Sequence, residues 1–80
     1  MWVIFAGPQQ WGRPGTQYIG KDGKPTEIRS KAAKFYGFKY AEEFAKQMNI
    51  ELTAMTYIGQ EDFTDFEIQY EGALFFPPLN

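Results

Sequence analysis

The sequence contains no cysteine and no histidine, and Ser30 is its only serine. Without cysteine the chain can form no disulfide, and without either residue it has no thiolate or imidazole ligand for a metal. Catalytic pairs of serine or cysteine with histidine are excluded for the same reason. The composition therefore favours binding over nucleophilic or imidazole-based catalysis.

Acid–base catalysis by carboxylates is the enzymatic chemistry that the composition leaves open. It needs two carboxyl groups with separated pKa values in a cleft, and the adjacent pairs Glu42-Glu43 and Glu61-Asp62 come with no sequence signal for such a cleft. A calcium-binding loop of alternating aspartates is also lacking. We therefore predict a protein that is not an enzyme and that binds neither a cofactor nor a metal.

Long hydrophobic runs are missing as well. The longest apolar run extends from Met1 to Gly7, which is too short to span a bilayer and lacks the basic residues that open a secretory signal. We therefore expect a soluble, intracellular protein. Eighty residues allow a single domain, predicted to cover residues 1–80.

Aromatic residues are abundant, at 19% of the chain. Each aromatic ring buries on the order of 150–250 Å², which suits a domain with a small core. The run Trp2 to Gly7 predicts a central strand covered on both faces. Asp22-Gly23 predicts a type I′ hairpin turn between two short strands, and Pro25 confines the second of them to a sheet edge.

The clearest periodicity predicts an amphipathic helix over residues 38–48. Its apolar face comprises Phe38, Ala41, Phe44, Ala45 and Met48. Gly37 is an acceptable N-cap, and Asn49 suits the left-handed position that ends a helix. Residues 30–36 are compatible with either a helical turn or an extended segment.

Two further strands are predicted after the helix, over residues 51–58 and 63–70. In the second, Phe66, Ile68 and Tyr70 would face one side, and acidic and amide residues the other. The sequence therefore predicts an α+β fold, in which one helix packs on one face of an antiparallel sheet of four or five strands.

The charges are strongly segregated along the chain. Residues 1–46 contain eight basic and four acidic residues, a net charge of +4, whereas residues 47–80 contain six acidic residues and no basic one. The overall charge of −2 thus conceals two opposed halves. Such asymmetry indicates a charged partner for one half or the other.

The acidic half provides the first candidate site. Side chains two apart on a strand lie about 6.5–7 Å from each other, close to the spacing of phosphates along a nucleic-acid strand. The candidate partner-binding residues are Glu61, Asp62, Asp65, Glu67 and Glu71. They predict an inhibitor or adaptor that binds a larger protein with a basic surface, although any sheet with one solvent-exposed face shows similar alternation.

The basic half provides the alternative, a small nucleic-acid-binding module. Its candidate residues are Arg13, Lys21, Lys24, Arg29, Lys31 and Lys34, interspersed with aromatic rings that could stack on bases. A third possibility is an accessory protein that forms homodimers through an edge strand or the Phe75-Phe76 tail. Whether that tail docks on the sheet or stays exposed is left open.

Four segments, taken in order, resemble the small phage and prophage accessory proteins of the anti-CRISPR type. They are Gln17-Tyr18-Ile19, Asp22-Gly23-Lys24, Ala33-Lys34-Phe35 and Tyr40-Ala41-Glu42-Glu43-Phe44-Ala45-Lys46. The resemblance implies a hairpin, one amphipathic helix and further strands. It also implies a protein that binds and blocks a host nucleic-acid-binding complex in the bacterial cytoplasm. The basic first half departs from the pattern of an acidic nucleic-acid mimic.

Overall fold

In a computed structural model, the described residues combine helix 38–47 with a curled sheet, and the packing of a helix on a sheet is as predicted. The structure describes residues 1–7, 15–66 and 68, together with the backbone of residues 73–75. The elements are β1 (Trp2–Ala6), β2 (Gln17–Ile19), β3 (Pro25–Thr26), a 3-10 turn (Arg29–Lys31), β4 (Ala33–Phe35), α1 (Phe38–Gln47), β5 (Thr56–Gln60) and β6 (Ala73–Phe75). The predicted α+β class is confirmed.

Strand β1 is central, as its continuous apolar run predicts. It pairs antiparallel with β5 along its whole length, from Trp2 opposite Gln60 to Ala6 opposite Thr56. Its other edge is divided, because β2 pairs with one end of the strand and β4 with the other end.

The outer strands extend this arrangement in the order β3-β2-β1-β4-β6. All described pairings are antiparallel except that of β4 with β6, which is parallel. A parallel pair needs a long crossover connection, and the chain between β4 and β6 provides one because it includes α1 and β5. The backbone of Ala73–Phe75 is therefore part of the sheet, and the tail from residue 76 lies outside the described residues.

Hydrophobic side chains cover both faces of β1. Ile4 and Ala6 point towards α1, in a core cluster that also contains Phe35 and Phe44, whose rings lie 5.3 Å apart. Val3 and Phe5 point to the opposite side; a second cluster forms there with Tyr18, Ala32, Tyr57 and Phe63. The second cluster positions the charged residues described below.

Helix α1 begins after the N-cap Gly37 and ends as predicted, with Asn49 in the left-handed region at a φ of 57°. Its buried face is narrower than the sequence pattern suggests. Ala41, Phe44 and Ala45 are buried, whereas Phe38 and Met48 remain more than 40% exposed. Phe38 is the first residue of the helix, where its ring lies 5.4 Å from that of Trp2, and Met48 is the C-cap.

The hairpin turn is where the sequence predicts it, but its type differs. Gly23 has a φ of +81°, whereas Asp22 is not in the positive-φ region that a type I′ turn requires at both central positions. The amide of Gly23 donates to the carbonyl of Gly20, and the amide of Gly20 donates to that of Lys24. These bonds define a three-residue connection in which glycine alone adopts the left-handed conformation.

One open alternative is resolved beyond the hairpin, and one prediction needs correction. Residues 30–36 are neither one helix nor one strand, because the 3-10 turn is followed directly by β4. The predicted strand over residues 63–70 is wrong where it is described. Asp65 and Phe66 have helical backbone, and the amide of Ile68 donates to the carbonyl of Thr64 at 3.0 Å. The remaining positions, 67 and 69–70, lie outside the described residues.

Candidate functional site

Glu61 occupies a fixed position at the end of β5. Its amide donates to the carbonyl of Met1 at 2.9 Å, and the amino terminus of Met1 donates to the carbonyl of Glu61 at 3.2 Å. The Glu61 side chain lies on the same side of the sheet as the second hydrophobic cluster, since it contacts Tyr18 there. A residue predicted to face a partner is therefore turned towards its own domain.

The Glu61 carboxylate connects the two halves of the charge pattern. Its Oε2 atom accepts a hydrogen bond from the Tyr18 hydroxyl at 2.8 Å and forms an ion pair with the Arg29 guanidinium. One member of the predicted acidic site thus neutralises one member of the predicted basic site. At this point, two opposite charges that lie far apart in the sequence are paired with each other in the fold.

Phe63 lies next to this ion pair and contacts two cations. The Arg29 guanidinium carbon is 4.5 Å from the centre of the Phe63 ring, and the Lys34 ammonium is 4.8 Å from it. Attraction between a cation and an aromatic ring is strongest where water is excluded. The ring therefore helps to hold two positive charges against the sheet.

Lys34 is fully buried, with 0% of its surface exposed. Its ammonium donates to the carbonyl of Ser30 at 2.8 Å and to that of Ala32 at 3.0 Å. A buried cation is tolerated only when such donors are satisfied. Its assignment to a nucleic-acid surface is therefore wrong, and it serves instead to close the turn before β4.

The remaining predicted site residues fall into three groups. Asp62 and Asp65 are exposed, as are Lys21, Lys24 and Lys31. Arg29 and Glu61 are engaged with each other. Arg13, Glu67 and Glu71 lie outside the described residues, so the structure does not place them.

The three exposed lysines surround one groove. It has a volume of about 520 Å³ and lies between the hairpin turn, β3 and the 3-10 turn. Its lining includes Lys21, Lys24, Lys31, Asp22, Pro25 and Ile28. The fold thus gathers half of the predicted nucleic-acid-binding residues at one place.

The exposed ring of Phe66 is a second surface feature, and the sequence pattern did not predict it. Phe66, expected on a buried strand face, is 66% exposed on the short helical turn that carries Asp65, and Asp62 precedes that turn. The Thr64-Asp65 pair was the available signal, because threonine is favoured at an N-cap and aspartate in the first helical turn. The carbonyl of Thr64 does accept the first helical bond.

Within the described ranges there is no group of three or more acidic side chains that could hold a metal ion. Nor does any helix in those ranges have the length and hydrophobicity to cross a membrane. The described architecture is that of a small α+β protein with a curled sheet, a charge network on one face and a lysine-lined groove beside the hairpin. No protein-family model, curated protein or solved structure matches this chain.

Tyr18 allows a test of the charge network. Burial, with the hydrogen bond to Glu61 and the negative charge of that residue, raises the pKa of Tyr18 above its ordinary value of 10.0. The folded state therefore holds the phenol proton more tightly than the unfolded state does. This contribution to stability is complete below the unfolded pKa, and it is lost as pH rises from about 10 through the folded pKa.

We expect the free energy of unfolding to fall more steeply above pH 10 in the wild type than in Tyr18→Phe, when both are measured by urea denaturation. Ultraviolet titration at alkaline pH should show a phenol with a raised pKa in the wild type that is absent from Tyr18→Phe. Identical pH dependence of the two proteins would contradict the network.

Proposed function

We propose that this chain is a non-enzymatic inhibitor or adaptor that binds a larger, nucleic-acid-binding protein through a basic surface on that partner. The observation that supports this function is the exposed Phe66 ring, which lies on the same short turn as the exposed carboxylate of Asp65, with Asp62 just before it. We define the Phe66 patch as these three residues. The resemblance to small phage accessory proteins is in line with such a role.

The composition of the Phe66 patch is suited to a protein partner. Aromatic side chains are enriched among the residues that contribute most to binding energy at protein interfaces. Such residues contribute most when the groups around them exclude water from the contact. Carboxylates at the rim would meet lysine or arginine of the partner and would accelerate association. The Phe66 ring is two thirds exposed to water in the free protein. Burying it against a partner would be favourable, because it removes apolar surface from water.

The proposal differs from the acidic strand face in its geometry. The helical backbone at Asp65 and Phe66 removes the regular 6.5–7 Å spacing along a strand on which the comparison with phosphates depends. Glu61 is also engaged by Arg29. The proposed contact is therefore an apolar centre with an acidic rim, and not a linear track of carboxylates.

Photo-crosslinking tests this proposal. With benzoylphenylalanine in place of Phe66, irradiation in bacterial cells should yield a covalent adduct with one protein. The same amino acid at Lys46, an exposed site on α1, should not yield that adduct. The partner identified in this way is then purified, and its affinity is measured for the wild type and for charge-reversed variants.

Asp62→Lys with Asp65→Lys should weaken binding of that partner by about a hundredfold, since each lost charge contact is worth roughly tenfold or more. The matched control is Glu42→Lys with Glu43→Lys, which makes the same change in net charge at exposed positions of α1. Equal loss in both double variants, or no adduct specific to position 66, would contradict the proposal.

A further inference from the structure

The groove beside the hairpin is large enough for an organic ligand. At about 520 Å³ it falls within the range of small-molecule sites, roughly 300–1,000 Å³. It is separate from the Phe66 patch, because its lining extends from Gly20 to Lys31 and includes no residue after that position. Its function can therefore be tested independently of the proposed inhibitor role.

The walls of the groove are held in place by backbone hydrogen bonds. The amide of Gly20 donates to the carbonyl of Lys24 at 2.9 Å, and the amide of Lys31 donates to that of Ile28 at 3.0 Å. An antiparallel bridge between Gly20 and Ala32 joins the hairpin to the chain entering β4. The backbone that carries the lysines is thus ordered before any ligand binds, which lowers the entropic cost of binding.

The groove carries a net positive charge from its lysine side chains. Three lysines face one aspartate, Asp22, whose Oδ1 atom accepts a hydrogen bond from the Lys24 amide at 3.0 Å. The ion pair between Arg29 and Glu61 includes none of the three groove lysines. Among the described residues, Lys21, Lys24 and Lys31 therefore have no acidic side chain paired with them. Phosphate is an anion that lysine ammonium groups commonly bind.

The groove also has an apolar wall, which a simple inorganic anion would not use. Ile28 is 51% exposed there, and Pro25 lies beside it. Ile28 is kept at the surface by a turn in which its amide donates to the Thr26 hydroxyl at 3.1 Å. A ligand with a phosphate and a planar or sugar component would engage both parts of the lining.

We propose that this groove is a binding site for a phosphate ester of the nucleotide type, in which Lys21, Lys24 and Lys31 bind the phosphate and Ile28 contacts the base or sugar. The same chemistry is offered by a free nucleotide and by a single nucleic-acid strand. Two probes distinguish these sources: a short fluorescent oligothymidylate, and ATP used as a competitor.

The experiment is a fluorescence-anisotropy titration of the full chain with the oligothymidylate at about 50 mM salt and above, where phosphate contacts give a measurable salt dependence. We expect binding that weakens with salt. Lys24→Gln with Lys31→Gln should reduce the slope of log K against log salt by about 1.4, or about 0.7 for each lost contact to a single strand. Binding of the strand without competition by ATP assigns the site to nucleic acid, whereas displacement by ATP assigns it to a nucleotide.

The matched control is Lys39→Gln with Lys46→Gln, which removes the same charge from exposed positions of α1. Equal weakening by both double variants would overturn the proposal, as would equally tight binding of polyglutamate or no binding of either probe. Amide chemical-shift changes in the wild-type protein provide a test that needs no variant. They should centre on residues 20–31, and changes confined to other regions would overturn the assignment.

Discussion

Lys34→Glu is expected to lower the free energy of unfolding by about 3–5 kcal/mol, a large part of the stability of a domain of this size. The substitution places a carboxylate against the carbonyl oxygens of Ser30 and Ala32 and close to the face of the Phe63 ring, all of which now favour a cation. An uncompensated buried charge costs about 3–5 kcal/mol. A domain of this size has a total stability of only about 4–12 kcal/mol, at 0.05–0.15 kcal/mol per residue.

The control for this prediction is Lys31→Glu, three residues earlier. Lys31 is exposed, so the same charge reversal should change the free energy of unfolding by no more than about 0.5 kcal/mol. Circular dichroism during urea denaturation measures both variants. Similar stability of the two would contradict the structural role assigned to Lys34.

Gly59→Ala is expected to destabilise the protein by about 1–3 kcal/mol, the usual cost of forcing extra volume into a packed site. Gly59 pairs with Val3 across β1 and β5, and a Cβ atom there would lie 2.7 Å from Cε2 of the Phe5 ring. Alanine is otherwise favoured over glycine within a strand. Destabilisation therefore reports the ring contact and not strand propensity.

A double-mutant cycle isolates that contact. Leucine at position 5 has no Cε atom, so Phe5→Leu removes the atom that would collide with the new methyl group. Gly59→Ala should consequently cost much less in the Phe5→Leu background than in the wild type. An equal cost in both backgrounds, measured by urea denaturation, would show that the ring is not the obstacle.

The sequence predicted those elements whose local pattern and tertiary role agree. The apolar run at Trp2–Ala6 gave a strand covered on both sides, and the spacing of Ala41, Phe44 and Ala45 gave the buried face of α1. Asp22-Gly23 located the hairpin. In each case the information lies within a few residues of the chain.

The errors arose where a competing local signal was missed or where distant residues decide the outcome. Alternation after Glu61 suggested a strand, but Thr64 caps a helical turn there and Phe66 is presented to solvent. Lys34 resembles any surface lysine until the carbonyls of Ser30 and Ala32 and the distant Phe63 ring contact its ammonium. Likewise, the pairing of Arg29 with Glu61 joins residues 32 positions apart, which no local pattern predicts.

The structure places only part of each candidate residue set together or at the surface. Of the basic set, Lys21, Lys24 and Lys31 share a groove, because the hairpin and the 3-10 turn bring them together. Of the acidic set, Asp62 and Asp65 remain available at the surface. Charge counting could identify these residue types but not their neighbours, since Phe66 and Ile28 become part of a surface only through backbone conformation.

The pairing of β1 with β5 has a consequence for the order in which this protein is made. Of the described strands, β1 is synthesised before the others, yet its longest partner is completed only when Gln60 has been added. Contacts of such high sequence separation slow folding, because a long loop must close before they form. A nascent chain that ends with α1 would carry Trp2, Val3 and Ile4 without β5 beside them. Until residue 60 is added, the most hydrophobic segment of the protein is open to chaperones and to aggregation.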